Sequence, residues 1–376
     1  MRFFNGFRVG TVMGIPILVN PSWFLILALV VFVLGNHFSS EFPIWERWEA
    51  WAAALVTSIL FFGSVLAHEL CHSVVAVRKG IPVRSITLFM LGGVSQISRE
   101  ATRPATEMLI ALAGPLCSLV LGAAFLGLGV LLSQVNDGIP SVLQQLGITN
   151  LSLGAFNLAP AFPLDGGRVL RAGLWGLTHS HSRATFVAGR LSQGLAGAMM
   201  AGGLAVAVWV SPFSGMWIAM IGWFVFTSAT ASVRQERVDE AMRTLAARDI
   251  MIPPPLPLPS GATAADAAAR FVMPPSAPCL VIEQGSGELG IITLAALRGL
   301  ARDRWPATPA ASFAIPLSHV RTAALGDPAS RAAELVRGAP GDLVLVLDDG
   351  QILGAITEET IGQRLRAMRS LGLIRR

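Results

Sequence analysis

The stretch Ala67-His68-Glu69-Leu70-Cys71-His72-Ser73 sets two imidazoles four positions apart, with a carboxylate directly after the first. On a helix, positions i and i+4 share one face about a turn apart, so His68 and His72 can offer ring nitrogens to one cation. A zinc ion so held polarises a water molecule. Glu69 is then placed to take that water's proton and pass it to a leaving amine. The surroundings sharpen this reading, because the motif sits inside the apolar run VTSILFFGSVLAHELCHSVVAV, where ionisable side chains are costly and are kept mainly for function. It lies about eight residues, or roughly 12 Å of helix, from the Arg78–Lys79 boundary.

A catalytic zinc site needs a third protein ligand and an open position. Asp165 fits: it stands in FNLAPAFPLDGGRVLR, where Pro160 and Pro163 break the helix and Gly166 and Gly167 allow close backbone approach. Alone, Asp-Gly-Gly would read as a turn. Beside a membrane-embedded His-Glu-x-x-His it reads as the missing ligand.

The elements that carry these residues follow from composition. With 53% hydrophobic and 14% charged residues and a mean hydropathy of +0.61, the chain reads as a polytopic membrane protein. Apolar stretches near 18–36, 52–77, 105–133, 142–160, 185–210 and 214–231 predict about six transmembrane helices. Arginines gather before span one, between spans two and three, between four and five, and after six, whereas the other side has only Arg47. The positive-inside rule therefore expects both termini in the cytoplasm. Cys71, Cys117 and Cys279 read as free thiols. The net charge of +5 is juxtamembrane arginine, which argues against nucleic acid as a partner and for contact with membrane lipid.

Two further segments have recognisable patterns. RVGTVMGIPILV near the N-terminus reads as a hairpin, and GIPVRSITLFMLGGVSQISRE (80–100) alternates around Gly92-Gly93, as strands re-entering toward the site would. The second hairpin offers an edge on which an unwound substrate segment could pair, with Gly92 and Gly93 as contacts; a purely structural hairpin is the alternative. The chain divides after residue 235, with 236–256 expected as a linker that runs into PPPLPLP (253–259). Residues 257–376 hold a repeat, in which Gly290-Ile291-Ile292-Thr293 precedes Gly354-Ala355-Ile356-Thr357 by 64 positions. Each copy alternates helix and strand, which predicts a duplicated α/β fold.

Residues 1–235 resemble the site-2 protease family of intramembrane zinc metalloproteases. Three signatures occur in the family's order: HELCH, LAGPLCSL (112–119) and NLAPAFPLDGG (157–167). The resemblance implies one zinc per chain on His68, His72 and Asp165, with Glu69 as general base and Asn157 supporting the substrate or the developing oxyanion. Cys71 and Ser118 depart from residues common in the family, without removing a ligand. The C-terminal repeats resemble paired CBS-type modules, on RDIM (248–251) and the two Gly-x-x-Thr strand ends. That implies adenine-nucleotide binding or homo-oligomerisation, but the usual ribose-contacting aspartate is missing, with Ala296 and Thr360 in its place.

The expected activity is hydrolysis of a transmembrane segment of another membrane protein. A zinc transporter or sensor using the same three ligands is the competing class, and Glu69 separates the two, since a carrier needs no proton-transfer group there. The histidines of THSHSR (178–183) read as a solvated loop, and Glu107 as an interfacial charge near Arg103. The 27 arginines against one lysine suggest a GC-rich coding sequence and a bacterial inner membrane.

Overall fold

A computed structural model of the chain describes residues 6–90, 92–134, 138–252, 256–272, 279–283, 288–336, 338–348 and 351–370. They form two compact units, Met1–Val233 and Arg234–Arg376.

The first unit begins with β1 (Phe7–Val12) and β2 (Ile15–Val19), joined through Met13 and Gly14, both at positive φ, as a two-residue hairpin turn requires. Helix α1 (Ser22–Glu41) leads to α2 (Arg47–Arg78), whose start is capped by the Glu49 carboxylate accepting from the Glu46 backbone N–H. The second hairpin follows as β3 (Val83–Phe89) and β4 (Gly92–Ile97). Strand β2 joins it in parallel to β3, giving a four-stranded sheet in the order β1-β2-β3-β4. Strand β4 is therefore an edge.

Helix α3 (Pro104–Leu131) places its proline at the first position, where the missing N–H costs nothing. Against it lies α4 (Gly138–Asn157). The two backbones come so close that a Cβ at Gly122 would fall 2.8 Å from Leu151, and one at Gly154 would fall 3.0 Å from the Pro115 carbonyl. Small residues at a helix interface are the usual route to packing where lipid removes the hydrophobic drive. Helices α5 (Asp165–Thr178) and α6 (His181–Trp209) follow, and α7 (Pro212–Thr244) begins in this unit and continues past Val233.

Five of these helices, α1, α2, α3, α6 and α7, are long and apolar enough to cross a bilayer. The expected fourth span became α4, which is helical but interrupted by Gln144, Gln145, Asn150 and Asn157, so it falls outside that set. Large apolar side chains face outward, Phe24, Leu25 and Phe32 on α1 and Trp217, Trp223 and Phe224 on α7 among them. In water such faces would be a liability, whereas in hydrocarbon they are solvated. The chain is an integral membrane protein.

In the second unit, α8 (Ala247–Ile250) precedes β5 (Leu256–Leu258), α9 (Ala264–Val272), β6 (Cys279–Glu283), β7 (Leu289–Thr293), α10 (Leu294–Arg298) and β8 (Ile315–Pro316). The second copy runs β9 (Arg321–Ala324), α11 (Ala329–Val336), β10 (Leu343–Asp348), β11 (Gln351–Thr357) and α12 (Glu358–Ser370). Each copy pairs its first strand in parallel with its second and its second antiparallel with its third, which establishes the duplicated α/β fold. Residues 236–252, in the segment expected as a linker, fall within this unit. Met242, Ala247 and Ile250 are buried in one core with Ala329, Val344 and Ile356, because their apolar faces have a partner. Part of the PPPLPLP stretch, residues 253–255, lies outside the described residues.

Candidate metal centre and catalytic pocket

Helix periodicity brings His68 and His72 to one face of α2, with ring centroids 4.9 Å apart in an edge-to-face pair. Both are almost fully buried, at 5% and 4% exposure. Asp165 opens α5, just after the loop 158–164. That loop folds back so tightly that a Cβ at Gly166 would sit 2.2 Å from the Leu158 carbonyl oxygen, and one at Gly167 2.6 Å from Ala161. The two glycines are therefore needed to deliver the aspartate.

Three candidate ligand atoms converge. The His68 and His72 Nε2 atoms are 3.2 Å apart, and each is 3.2 Å from Asp165 Oδ2. An ion bound tetrahedrally at 2.0–2.1 Å separates its ligands by about 3.3 Å, so the donor set fits zinc in type and in spacing. The other ring nitrogens are both held from α3. His72 Nδ1 meets the Ile110 carbonyl oxygen at 2.6 Å, and an acceptor there requires that Nδ1 carry the proton, leaving Nε2 bare. His68 Nδ1 lies 2.8 Å from the Ser118 hydroxyl, which holds the ring in either tautomer. Ser118 thus holds a ring despite departing from the family's usual residue.

Helix α3 also makes room. A Cβ on Gly114 would come 2.2 Å from His72 Nε2 and 2.5 Å from His68 Nε2, so only glycine fits beneath the two rings.

Glu69 stands beside the ligands on α2. Its Oε2 accepts a 2.7 Å hydrogen bond from Ser95 on β4, and Ser73 in turn donates to Ser95. Gly93 approaches so closely that a Cβ there would fall 2.5 Å from Glu69 Cγ. The edge strand and Glu69 are thereby in contact. A cavity of about 600 Å³ takes in His68, Glu69, His72, Asp165, Gly93 and Asn157 together. Gly92 lines it as well, at φ +127°, a value that favours glycine. Asn157 spends one amide hydrogen on the Leu153 carbonyl of its own helix.

Other residues singled out in the sequence fall elsewhere. Glu107 is 2% exposed and pairs with Arg171 of α5 rather than with Arg103. Arg171 also lies over the Phe162 ring at 5.7 Å, so it fastens the loop before Asp165 to α3. His179 ends α5 and is exposed, while His181 starts α6 edge-on to Trp175. In the second unit, Thr293 accepts from the Ala296 N–H at the start of α10, and Thr357 accepts from Thr360 at the start of α12. Both threonines therefore act as helix caps. Ser95, Ile110 and Gly114 escape sequence reading, since no local spacing links them to the His-Glu-x-x-His motif.

The description of peptidase family M50 matches residues 56–136 and 132–202. A relative from Synechocystis sp., provisionally named a zinc metalloprotease, is 34% identical over 95% of this chain and 94% of its own. The zinc metalloprotease MJ0392 of Methanocaldococcus jannaschii is 31% identical over 66% of this chain and 67% of its own. Among solved structures, the site-2 protease from Methanocaldococcus jannaschii is 32% identical, covering 61% of this chain and 95% of its own at a TM-score of 0.43. The CBS domain of a membrane protein from Sphaerobacter thermophilus is 22% identical, covering 36% and 96% at a TM-score of 0.29.

Proposed function

The chain belongs to peptidase family M50 as an integral-membrane zinc metalloprotease, and on that premise we propose that it cuts a transmembrane segment of another membrane protein from within the bilayer. One observation carries the reading: three ligand atoms at mutual distances of 3.2 Å, buried among bilayer-length helices, with the Glu69 carboxylate alongside. His68, His72 and Asp165 hold the metal. When bound, zinc supplies Lewis acidity that polarises a carbonyl oxygen and makes a water molecule more acidic.

The chain's own residues do the rest. Glu69 takes a proton from the attacking water and returns it to the leaving amine. Ser95 keeps the Glu69 carboxylate turned toward the cavity. The substrate segment, unwound, pairs with the free edge of β4 at Gly92 and Gly93, where main-chain groups rather than side chains provide the first contact. Asn157, which lines the same cavity, donates its remaining amide hydrogen to the substrate or to the developing oxyanion. The duplicated α/β unit acts as a CBS-type module that modulates access; because its strand-end threonines already cap helices, homo-oligomerisation is favoured over nucleotide sensing.

The test uses purified chain, assayed for zinc content and for cleavage of a transmembrane-helix reporter. Wild type cuts; Glu69→Gln keeps zinc and loses about 10²–10⁴ in rate; Asp165→Ala loses zinc. Retained cleavage in Glu69→Gln would remove the base from the mechanism, and metal flux unaffected by that change would point to a carrier instead.

A further inference from the structure

A second cavity, of about 330 Å³, adjoins the catalytic one at the end of β4. The two share Ile97 and Arg168. Arg99 and Glu100 enter it from the turn after β4, Glu107 from α3, Arg168 and Arg171 from α5, and His181 from α6. Its charges are incompletely matched. Arg171 is taken by one oxygen of Glu107, while the other oxygen of that buried carboxylate has no hydrogen-bond partner among the described residues. Arg99 and Arg168 form no ion pair among the described residues.

We propose that this cavity is a subsite for an acidic residue of the substrate, about four to six positions from the scissile bond. The claim rests on the β4 docking in the reading above. A segment paired along β4 from the level of Gly93 and Ser95, where Glu69 lies, reaches Ile97 after about 7–13 Å at the rise of a strand, and continues toward Arg99 in the turn beyond. An arriving aspartate or glutamate meets guanidinium groups able to bind it through two parallel hydrogen bonds. The same residue brings a peptide N–H, which can donate to the orphaned oxygen of Glu107. A purely anionic ligand would instead set acceptor against acceptor there. The combination of carboxylate and N–H thus favours a peptide over an anionic lipid headgroup or free phosphate, and the shared wall with the catalytic cavity says which peptide.

The experiment uses the full chain with zinc, reconstituted in vesicles, and a reporter series identical except for Asp, Asn or Lys at single positions three to seven residues from the cut on either side. The expected result is a preference of about tenfold or more in kcat/KM for Asp over Lys at one or two adjacent positions. Arg99→Glu, at an exposed site, inverts that ratio. A flat series with the Asn reporter still cut would overturn the subsite while leaving the protease reading intact, as would a preference that Arg99→Glu leaves unchanged. Rates that follow the phosphatidylethanolamine content of the vesicles and not the reporter's charge would give the cavity to a lipid headgroup. If wild type cuts no reporter, the docking reading fails and the subsite falls with it.

Discussion

Replacing Gly114 with alanine adds one carbon at the most crowded point of the metal centre. That carbon would fall 2.2 Å from His72 Nε2 and 2.5 Å from His68 Nε2, where a relaxed carbon–nitrogen contact is about 3.5 Å. Each ring must therefore retreat by about 1 Å. The rings have nowhere to go, because their Nδ1 atoms are held by Ile110 and Ser118, which stand on the same helix as Gly114. Either the helices part or both Nε2 atoms leave positions that tolerate roughly 0.2 Å of error in a metal site. Loss of one outer-shell partner costs 10–100-fold in metal affinity, so displacement of two ligands costs at least about 100-fold. The assay is zinc per chain after equilibration against a competing chelator, with cleavage measured in parallel. Gly127→Ala, on the same helix but with open space around its Cβ, keeps zinc and activity. Gly122→Ala, crowded by Leu151 away from the metal, separates loosened α3–α4 packing from loss of the site. Stoichiometric, tightly held zinc in Gly114→Ala would refute the reasoning, because the rings could not then rest against that position.

Gly93→Ala, with its Cβ 2.5 Å from Glu69 Cγ, lowers kcat and leaves zinc content unchanged, a split visible in one preparation. Glu107→Gln strands a buried guanidinium and destabilises the first unit by about 3–5 kcal/mol, whereas Glu107→Gln combined with Arg171→Met recovers much of the loss; detergent-resistant thermal unfolding compares them. Cys279 is buried in the second unit, and burial pushes its thiol up to about 12. The unfolded thiol ionises near 8.5, so between those values the unfolded state binds fewer protons and stability falls with rising pH, by at most about 1.4 kcal/mol per pH unit. Alkaline unfolding of Cys279→Val lacks that slope, and a maleimide at pH 8 leaves the folded thiol unlabelled.

What could be read from the sequence was whatever a single segment encodes in its own spacing. His68 and His72 share a face because a helix turns every 3.6 residues, whatever surrounds it. The RVGTVMGIPILV segment announced a hairpin, the alternation around Gly92-Gly93 a second set of strands, and the 64-residue offset a duplicated unit, each from a local pattern. Asp165 could be added because Gly166 and Gly167 mark a backbone that must pass close to another, though not to which one. The 142–160 stretch is helical over Gly138–Asn157, though its amide side chains leave it less apolar than the other spans. Within 236–256, charge on the outer face hid Met242, Ala247 and Ile250, whose partners lie about 80 to 115 residues further along. The rest of the site depended on contacts between elements. Gly114 beneath the histidines, the Ile110 carbonyl on His72, the Ser118 hydroxyl on His68, Ser95 on Glu69, and Arg171 on Glu107 join residues 26 to 64 positions apart. No periodicity links such pairs, because helix spacing fixes the direction in which a side chain leaves its own backbone, and only packing of helices and strands decides what it meets.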